Sequence, residues 1–244
     1  DRIISLIRRI GHALYGIYFW GVFSICAMLA LVLLTFLPGQ QLRRKVARKS
    51  AALVFRLTGS WPEIEGAEHL PDFPIVIVAN HASYLDGPLL TAVLPERFQF
   101  VVKREVTRVP FVHFFLRRLG THFVERFDKH RGAADTRKIM STASSGASLA
   151  FFPEGTFRSE PGLRHFHSGA FAIARRHELP VVPVVIHGTR RMLPSHRLLP
   201  APAQLKVIVT PALNEGRFIA ETKVAIAASR EQILHHLDEP DLLD

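Results

Sequence analysis

Pro74-Ile75-Val76-Ile77-Val78-Ala79-Asn80-His81-Ala82-Ser83-Tyr84-Leu85-Asp86-Gly87-Pro88 decides how this chain is read. Its first six residues form a continuous apolar run with β-branched side chains in four of the six places, the pattern of a strand covered on both faces. Asp86-Gly87-Pro88 resembles a helix start, with the acid near the N-cap and proline in the first turn. His81 therefore sits just past the carboxyl end of a strand, where reactive groups of open α/β sheets gather. In one ideal helix, five residues turn the chain by about 500° and leave two side chains roughly 140° apart. A loop carrying His81 can instead fold back over Asp86. Such a pair suits a general base: an imidazole that titrates near neutrality, held by an acid that stabilises its charged form. An isolated H-x4-D is more often a helix cap beside a loop histidine, so the spacing alone leaves both readings open.

Outward from this stretch, the same texture repeats. Phe98–Val102, Thr121–Val124, Ser148–Phe152, Val181–Ile186 and Leu205–Val209 are further strand candidates. Helical patterns near Gly87–Leu94, Val109–Leu119, Arg131–Ser144, Ser168–His177 and Glu221–Leu237 alternate with them. This alternation predicts an α/β layered domain with a mostly parallel central sheet flanked by helices. No P-loop, G-x-G-x-x-G, G-x-S-x-G or C-x-x-C is present, so the common nucleotide-binding and hydrolase readings lack their residues.

Before Gly59 the character differs. Ala13 to Leu37 is 25 residues without a charged side chain. As helix it reaches roughly 37 Å, more than the hydrocarbon core of about 30 Å, and it is too long for a signal-peptide core. Leu37-Pro38-Gly39 closes it. From Gln41 to Thr58, Leu42, Val46, Leu53 and Leu57 share a face while Arg43, Arg44, Arg48, Lys49 and Arg56 fall mostly elsewhere, which describes a basic amphipathic helix for an anionic interface. Arg2, Arg8 and Arg9 precede the apolar run, so both flanks are basic. Two geometries fit: a tilted single span, or a membrane-dipping hairpin broken near Gly16 or Gly21 with both ends cytoplasmic. The expected organisation is a membrane-binding helical region over residues 1–59 and an α/β domain over 60–244.

The chain of 244 residues carries a formal charge of +10 and 48% hydrophobic residues, which excludes a disordered tail and favours an anionic partner. Its one cysteine, Cys26, excludes a disulfide scaffold. Nucleic acid is not the expected partner, because no binding module is present and the apolar amino terminus would go unexplained. The histidines, His165-Phe166-His167 among them, lack a carboxylate or thiolate cluster to complete a metal site.

Asn80-His81-x4-Asp86 resembles the signature of the glycerolipid acyltransferase family, which includes the 1-acylglycerol-3-phosphate acyltransferases. Three further blocks resemble that family in order. Lys103-Arg104-Glu105, Pro110, Gly120 and Phe123-Val124-Glu125-Arg126 match its second block. Phe152-Pro153-Glu154-Gly155-Thr156 matches its third, and Val182-Pro183-Val184 with Gly188 its fourth. The resemblance implies transfer of a fatty acyl group from a thioester to the hydroxyl of a lysophospholipid, with 1-acylglycerol-3-phosphate giving phosphatidic acid. It makes His81 the general base and Asp86 its orienting partner. Arg126, assisted by Lys103, would hold the acceptor's phosphate, and Glu154, Gly155 and Thr156 would bind its glycerol-phosphate portion. The donor would be acyl-CoA or acyl carrier protein, with no bound cofactor. The enzyme would be membrane-associated, its active site facing the cytoplasm.

The same residues admit plainer readings. Arg126, Arg131 and Arg137 also fit a solvated basic face, Glu154 a turn, Pro183 a bent strand, and the aromatic run Phe111–Leu116 a piece of core. A non-catalytic lipid-binding protein of the same fold is the rival function. One departure stands out. Where the family often has arginine directly after the third block's threonine, Phe157 intervenes and Arg158 comes one place later.

Overall fold

Ile75, Ile77 and Ala79 pack toward one side of a sheet while Val76 and Val78 pack toward the other, and all are fully buried. That two-sided burial is why the run carries no polar residue. The computed structural model describes residues 2–125, 129–216, 219 and 221–243. Among these the strands are β1 (Glu63–Glu65), β2 (Val76–Ala79), β3 (Phe98–Lys103), β4 (His122–Val124), β5 (Ser148–Phe151), β6 (Val181–His187) and β7 (Lys206–Val209). They form one sheet in the order β1-β7-β6-β2-β5-β3-β4, antiparallel only between β6 and β7. The expected mostly parallel α/β layering is what the chain adopts.

The helices are α1 (Arg2–Phe36), α2 (Gln40–Leu57), α3 (Asp86–Val93), α4 (Pro110–Leu119), α5 (Lys129–Ser144), α6 (Gly169–Arg176), α7 (Thr189–Met192) and α8 (Thr222–His236). Phe19 of α1, Phe55 of α2 and Leu85, Leu89 and Leu90 around α3 cover one face of the sheet. Ile139 of α5, Phe171 and Ile173 of α6 and Ile233 of α8 cover the other. The amino-terminal helices therefore share a core with the sheet.

Helix α1 runs unbroken through Gly16 and Gly21 and is long and apolar enough to cross a membrane. The break anticipated at those glycines is absent. Gly16 serves close packing instead: a Cβ there would lie 2.7 Å from Leu199 Cβ and 2.8 Å from the Pro200 carbonyl oxygen. Helix α1 packs antiparallel against α2. Tyr18 Oη donates to the Leu57 carbonyl at 2.9 Å, Ser50 Oγ to the Cys26 carbonyl at 2.9 Å, and Phe19 meets Phe55 edge-on. Gly16, Phe19, Cys26, Ala30 and Leu34 make up the buried stripe of α1, with spacings of one helical face. Ile3, Ile7, Ile10, Leu14, Ile17, Ile25, Leu29, Leu33 and Phe36 remain exposed.

After α8 the chain returns across the loop that follows β5. The Leu163 N–H donates to the Pro240 carbonyl, and the Leu242 N–H to the Leu163 carbonyl. Arg190 grips Glu239 at 2.8 and 2.9 Å, and the Gly162 N–H donates to Glu239 Oε2 at 2.7 Å. The loop after β5 is thereby tied down.

Candidate active site

Strands β2, β3, β4, β5 and β6 run parallel, so their carboxyl ends share one edge of the sheet. His81 follows β2, Lys103 ends β3, Glu125 follows β4 and Glu154 follows β5. Topology thus gathers three of the four sequence blocks at one edge, and the fourth lies in β6 beside β2.

Asn80 fastens the loop after β2 to its neighbour. Its Nδ2 donates to the Ile186 carbonyl at 3.0 Å, and the Ile186 N–H donates to its Oδ1 at 2.7 Å. The chain then curls around the Asp86 carboxylate. Asp86 Oδ2 accepts the Ala82 N–H at 2.6 Å, the Ser83 N–H at 2.9 Å and a bond from His81 Nδ1 at 2.8 Å. Asp86 is wholly buried, and its oxygen serves the loop before α3 rather than the N–H groups of that helix. The fold-back reading of the H-x4-D spacing is the one realised. Since both loop amides and Nδ1 converge on one oxygen, the imidazole is held with Nε2 facing away from the acid. Nε2 makes no hydrogen bond among the described residues, and the His81 side chain keeps 18% of its surface exposed. Phe152 stacks on the ring at 4.4 Å between centroids, and Phe157 meets it steeply at 4.6 Å.

Glu154 lies beneath this loop and is buried. Its Oε1 accepts the His81 N–H at 2.7 Å and its Oε2 the Arg164 N–H at 2.9 Å. Burial pushes its carboxyl from the ordinary 4.5 up to about 7, although both N–H bonds favour the charged form. Both oxygens already hold main-chain partners, so in this arrangement Glu154 braces the His81 backbone. Gly155 turns the chain with φ 73°, a region that favours glycine. Thr156 is exposed at the turn. Lys103 is half-buried and pairs with Val124 across the β3–β4 ladder, two residues before Arg126. Arg126 itself lies outside the described residues. Arg158 is exposed, and its carbonyl accepts Arg190 Nη1 at 2.5 Å.

Sequence reasoning missed one ion pair at this edge, between a partly exposed arginine and a buried acid. Arg104 Nη2 reaches both oxygens of Asp135, at 2.5 and 2.7 Å, and Asp135 Oδ2 accepts the Glu125 N–H at 3.0 Å. Asp135 thus ties the ends of β3 and β4 to α5. Arg104 belongs to the second block, but its partner is 31 residues away in a helix with no motif.

Chemically, this edge offers a fixed imidazole whose second nitrogen is unengaged among the described residues, with a buried carboxylate behind it, an arrangement suited to a general base acting on a hydroxyl. Comparison with known proteins finds acyltransferases among those this chain is similar to. A 1-acyl-sn-glycerol-3-phosphate acyltransferase of Brassica napus chloroplasts is 32% identical over 77% of this chain, which spans 57% of that relative's length. A lyso-ornithine lipid O-acyltransferase of Pseudomonas aeruginosa is 32% identical, over 65% of this chain and 60% of the relative. The crystal structure of the 1-acyl-sn-glycerophosphate acyltransferase PlsC from Thermotoga maritima shares the fold at 22% identity, with a TM-score of 0.78 across 94% of this chain and 95% of that one. The acyltransferase family model matches residues 62–187, and this chain belongs to that family.

Proposed function

We propose that this protein transfers a fatty acyl group from a thioester to the free hydroxyl of a lysophospholipid, 1-acylglycerol-3-phosphate giving phosphatidic acid. The observation that carries the reading is the 2.8 Å contact between His81 Nδ1 and Asp86 Oδ2, which leaves Nε2 as the only ring nitrogen available to a substrate. His81 Nε2 takes the hydroxyl proton as that oxygen attacks the thioester carbonyl carbon. The C–S bond then breaks and the thiolate leaves, collecting the proton from the imidazolium. Asp86 holds the Nδ1–H tautomer and stabilises the positive charge that forms. A thiolate leaves readily, so neither a covalent acyl-enzyme nor a cofactor is required.

Arg126 and Lys103 hold the acceptor's phosphate in this scheme, the guanidinium as a bidentate clamp. Gly155 and Thr156 lie against the glycerol-phosphate portion, and Glu154 shapes that site through the His81 main chain. The donor is acyl-CoA or acyl carrier protein. Both are anionic, in keeping with a chain of charge +10.

The protein acts on a phospholipid membrane in this scheme, a reading supported by the exposed apolar face of α1 and the basic residues of α2. Because the middle of α1 is packed on the sheet layer, that helix meets lipid along its outer face. In this reading the active site faces the cytoplasm, on the inner or plasma membrane if the cell is bacterial, which basic residues on both flanks of α1 suit when its two ends lie on one side of the membrane.

The test is to incubate the protein, bound to liposomes, with a panel of lysolipids and both thioester donors, identifying products by mass spectrometry. Phosphatidic acid is the expected product. Acylation of lyso-ornithine lipid alone moves the acceptor to a phosphate-free lipid. His81→Ala is expected to lose on the order of 10²–10⁴-fold in turnover while still sedimenting with liposomes. Near-normal turnover in that variant removes His81 as the base, and lipid binding without any turnover in the unaltered protein leaves the non-catalytic reading.

A further inference from the structure

Four rings run in series from solvent to the core: Tyr84, Phe157, His81 and Phe152. Tyr84 meets Phe157 edge-on at 4.7 Å between centroids, Phe157 meets His81 at 4.6 Å, and His81 stacks on Phe152 at 4.4 Å. Tyr84 is 67% exposed while Phe157 is half-buried beneath it. The backbone beside Phe157 is anchored, because the Arg158 carbonyl accepts from Arg190, which is itself clamped to Glu239. The phenyl ring therefore occupies a held place next to the base, at the position where the third sequence block departs from its family.

A base that takes a proton from a lipid hydroxyl can also take one from water, and hydrolysis of a thioester is downhill. Selection between the two lies in what surrounds Nε2. An ordered water needs two to four polar partners. Around the His81 ring, Phe152 and Phe157 present hydrocarbon, which offers a water none. A lysolipid hydroxyl arrives with its own apolar atoms and is not penalised in the same way. We propose that Phe157, backed by Tyr84, is a specificity-determining residue that denies water a bound place at His81 and so sets the ratio of acyl transfer to thioester hydrolysis. The inference rests on the acyltransferase reading above. In the competing reaction the water oxygen bonds to the thioester carbon, the C–S bond breaks, and the products are a free fatty acid and the thiol.

The experiment uses the full chain on liposomes containing 1-oleoyl lysophosphatidate, with palmitoyl-CoA as donor. Thiol release is followed colorimetrically, and free palmitate and acylated lipid are quantified by mass spectrometry. In Phe157→Ala the ratio of palmitate to acylated lipid is expected to rise about tenfold, equivalent to ~1.4 kcal/mol. Phe157→Ser, which adds a polar partner for water, should raise it further. Phe157→Leu should stay near the wild-type ratio, and Tyr84→Ala should shift it less than Phe157→Ala. A purely structural role lowers both products together. An unchanged ratio in Phe157→Ala and Phe157→Ser, whatever happens to total thiol release, overturns the proposal. Product identity in the unaltered protein reports separately on the acyltransferase reading: release of palmitate with no acylated lipid refutes that reading itself.

Discussion

Replacing Asp86 by asparagine separates the charge of the His81–Asp86 pair from its geometry. Oδ2 of Asp86 accepts three bonds, from Nδ1 of His81 and from the main-chain N–H groups of Ala82 and Ser83. A carboxamide keeps one acceptor oxygen, and two main-chain donors that cannot rotate away oblige that oxygen to face inward. The Nδ1–H tautomer of His81 therefore survives in Asp86→Asn, and what disappears is the negative charge opposite the forming imidazolium. In a catalytic triad, the same exchange costs about 10⁴-fold when it also imposes the wrong tautomer. With the tautomer preserved, a loss on the order of 10²–10³-fold in kcat is expected, within the usual range for base catalysis. Asp86→Ala removes the acceptor altogether. The main-chain donors of two buried residues, Ala82 and Ser83, are then left unpaired, at ~1–3 kcal/mol each, so that variant should be destabilised by ~2–6 kcal/mol as well as inactive. Initial rates of phosphatidic acid formation and thermal unfolding, measured on the same preparations, separate the two effects. The reasoning fails if Asp86→Asn stays within about threefold of the wild-type kcat, for a charge worth so little does not stabilise the imidazolium. It fails on the structural side if Asp86→Ala melts with the wild-type protein.

Two further expectations follow from the same edge of the sheet. Arg126→Ala should raise the KM for lysophosphatidate while leaving that for a phosphate-free monoacylglycerol unchanged; equal KM values for lysophosphatidate in the two proteins take Arg126 out of the phosphate site. Glu154 holds its proton to about pH 7 in the folded chain against an ordinary 4.5, so between those values the unfolded chain binds fewer protons and stability falls as pH rises, by ~3 kcal/mol in all. Glu154→Gln lacks that slope, so its melting temperature should gain on the wild-type value from pH 4.5 to 7, and parallel curves would contradict the raised carboxyl.

What could be read from the sequence divides along a physical line. Strands β2, β5 and β6 were legible because burial on both faces keeps the runs Val76–Ala79, Leu149–Phe151 and Val181–Ile186 apolar, and the sheet's parallel run follows from the helices between. Strand β1 was not, since Glu63-Ile64-Glu65 is exposed and is a strand only by its pairing with Lys206–Ile208. The apolar run of α1 was legible as lipid-compatible, yet its packed face was not. Phe19, Cys26 and Leu34 on that face are no more apolar than Ile17, Ile25 and Leu33 on the other, so periodicity has nothing to register. The His81–Asp86 pair was within reach because four intervening residues close it, and a short closure leaves few alternatives. Asp135, linked to Arg104 across 31 residues, leaves no local trace. Glu154 is the instructive case. Sequence marks an acid at the end of a strand and suggests that it meets a ligand, but whether a carboxylate faces a substrate or the main chain depends on which N–H groups the fold delivers to it. Here the loops after β2 and β5 each deliver one, from His81 and from Arg164, and together they occupy both of its oxygens. On the proposed mechanism its influence on catalysis runs through the position of the His81 backbone, and the ring that projects from that backbone is the group a substrate would meet.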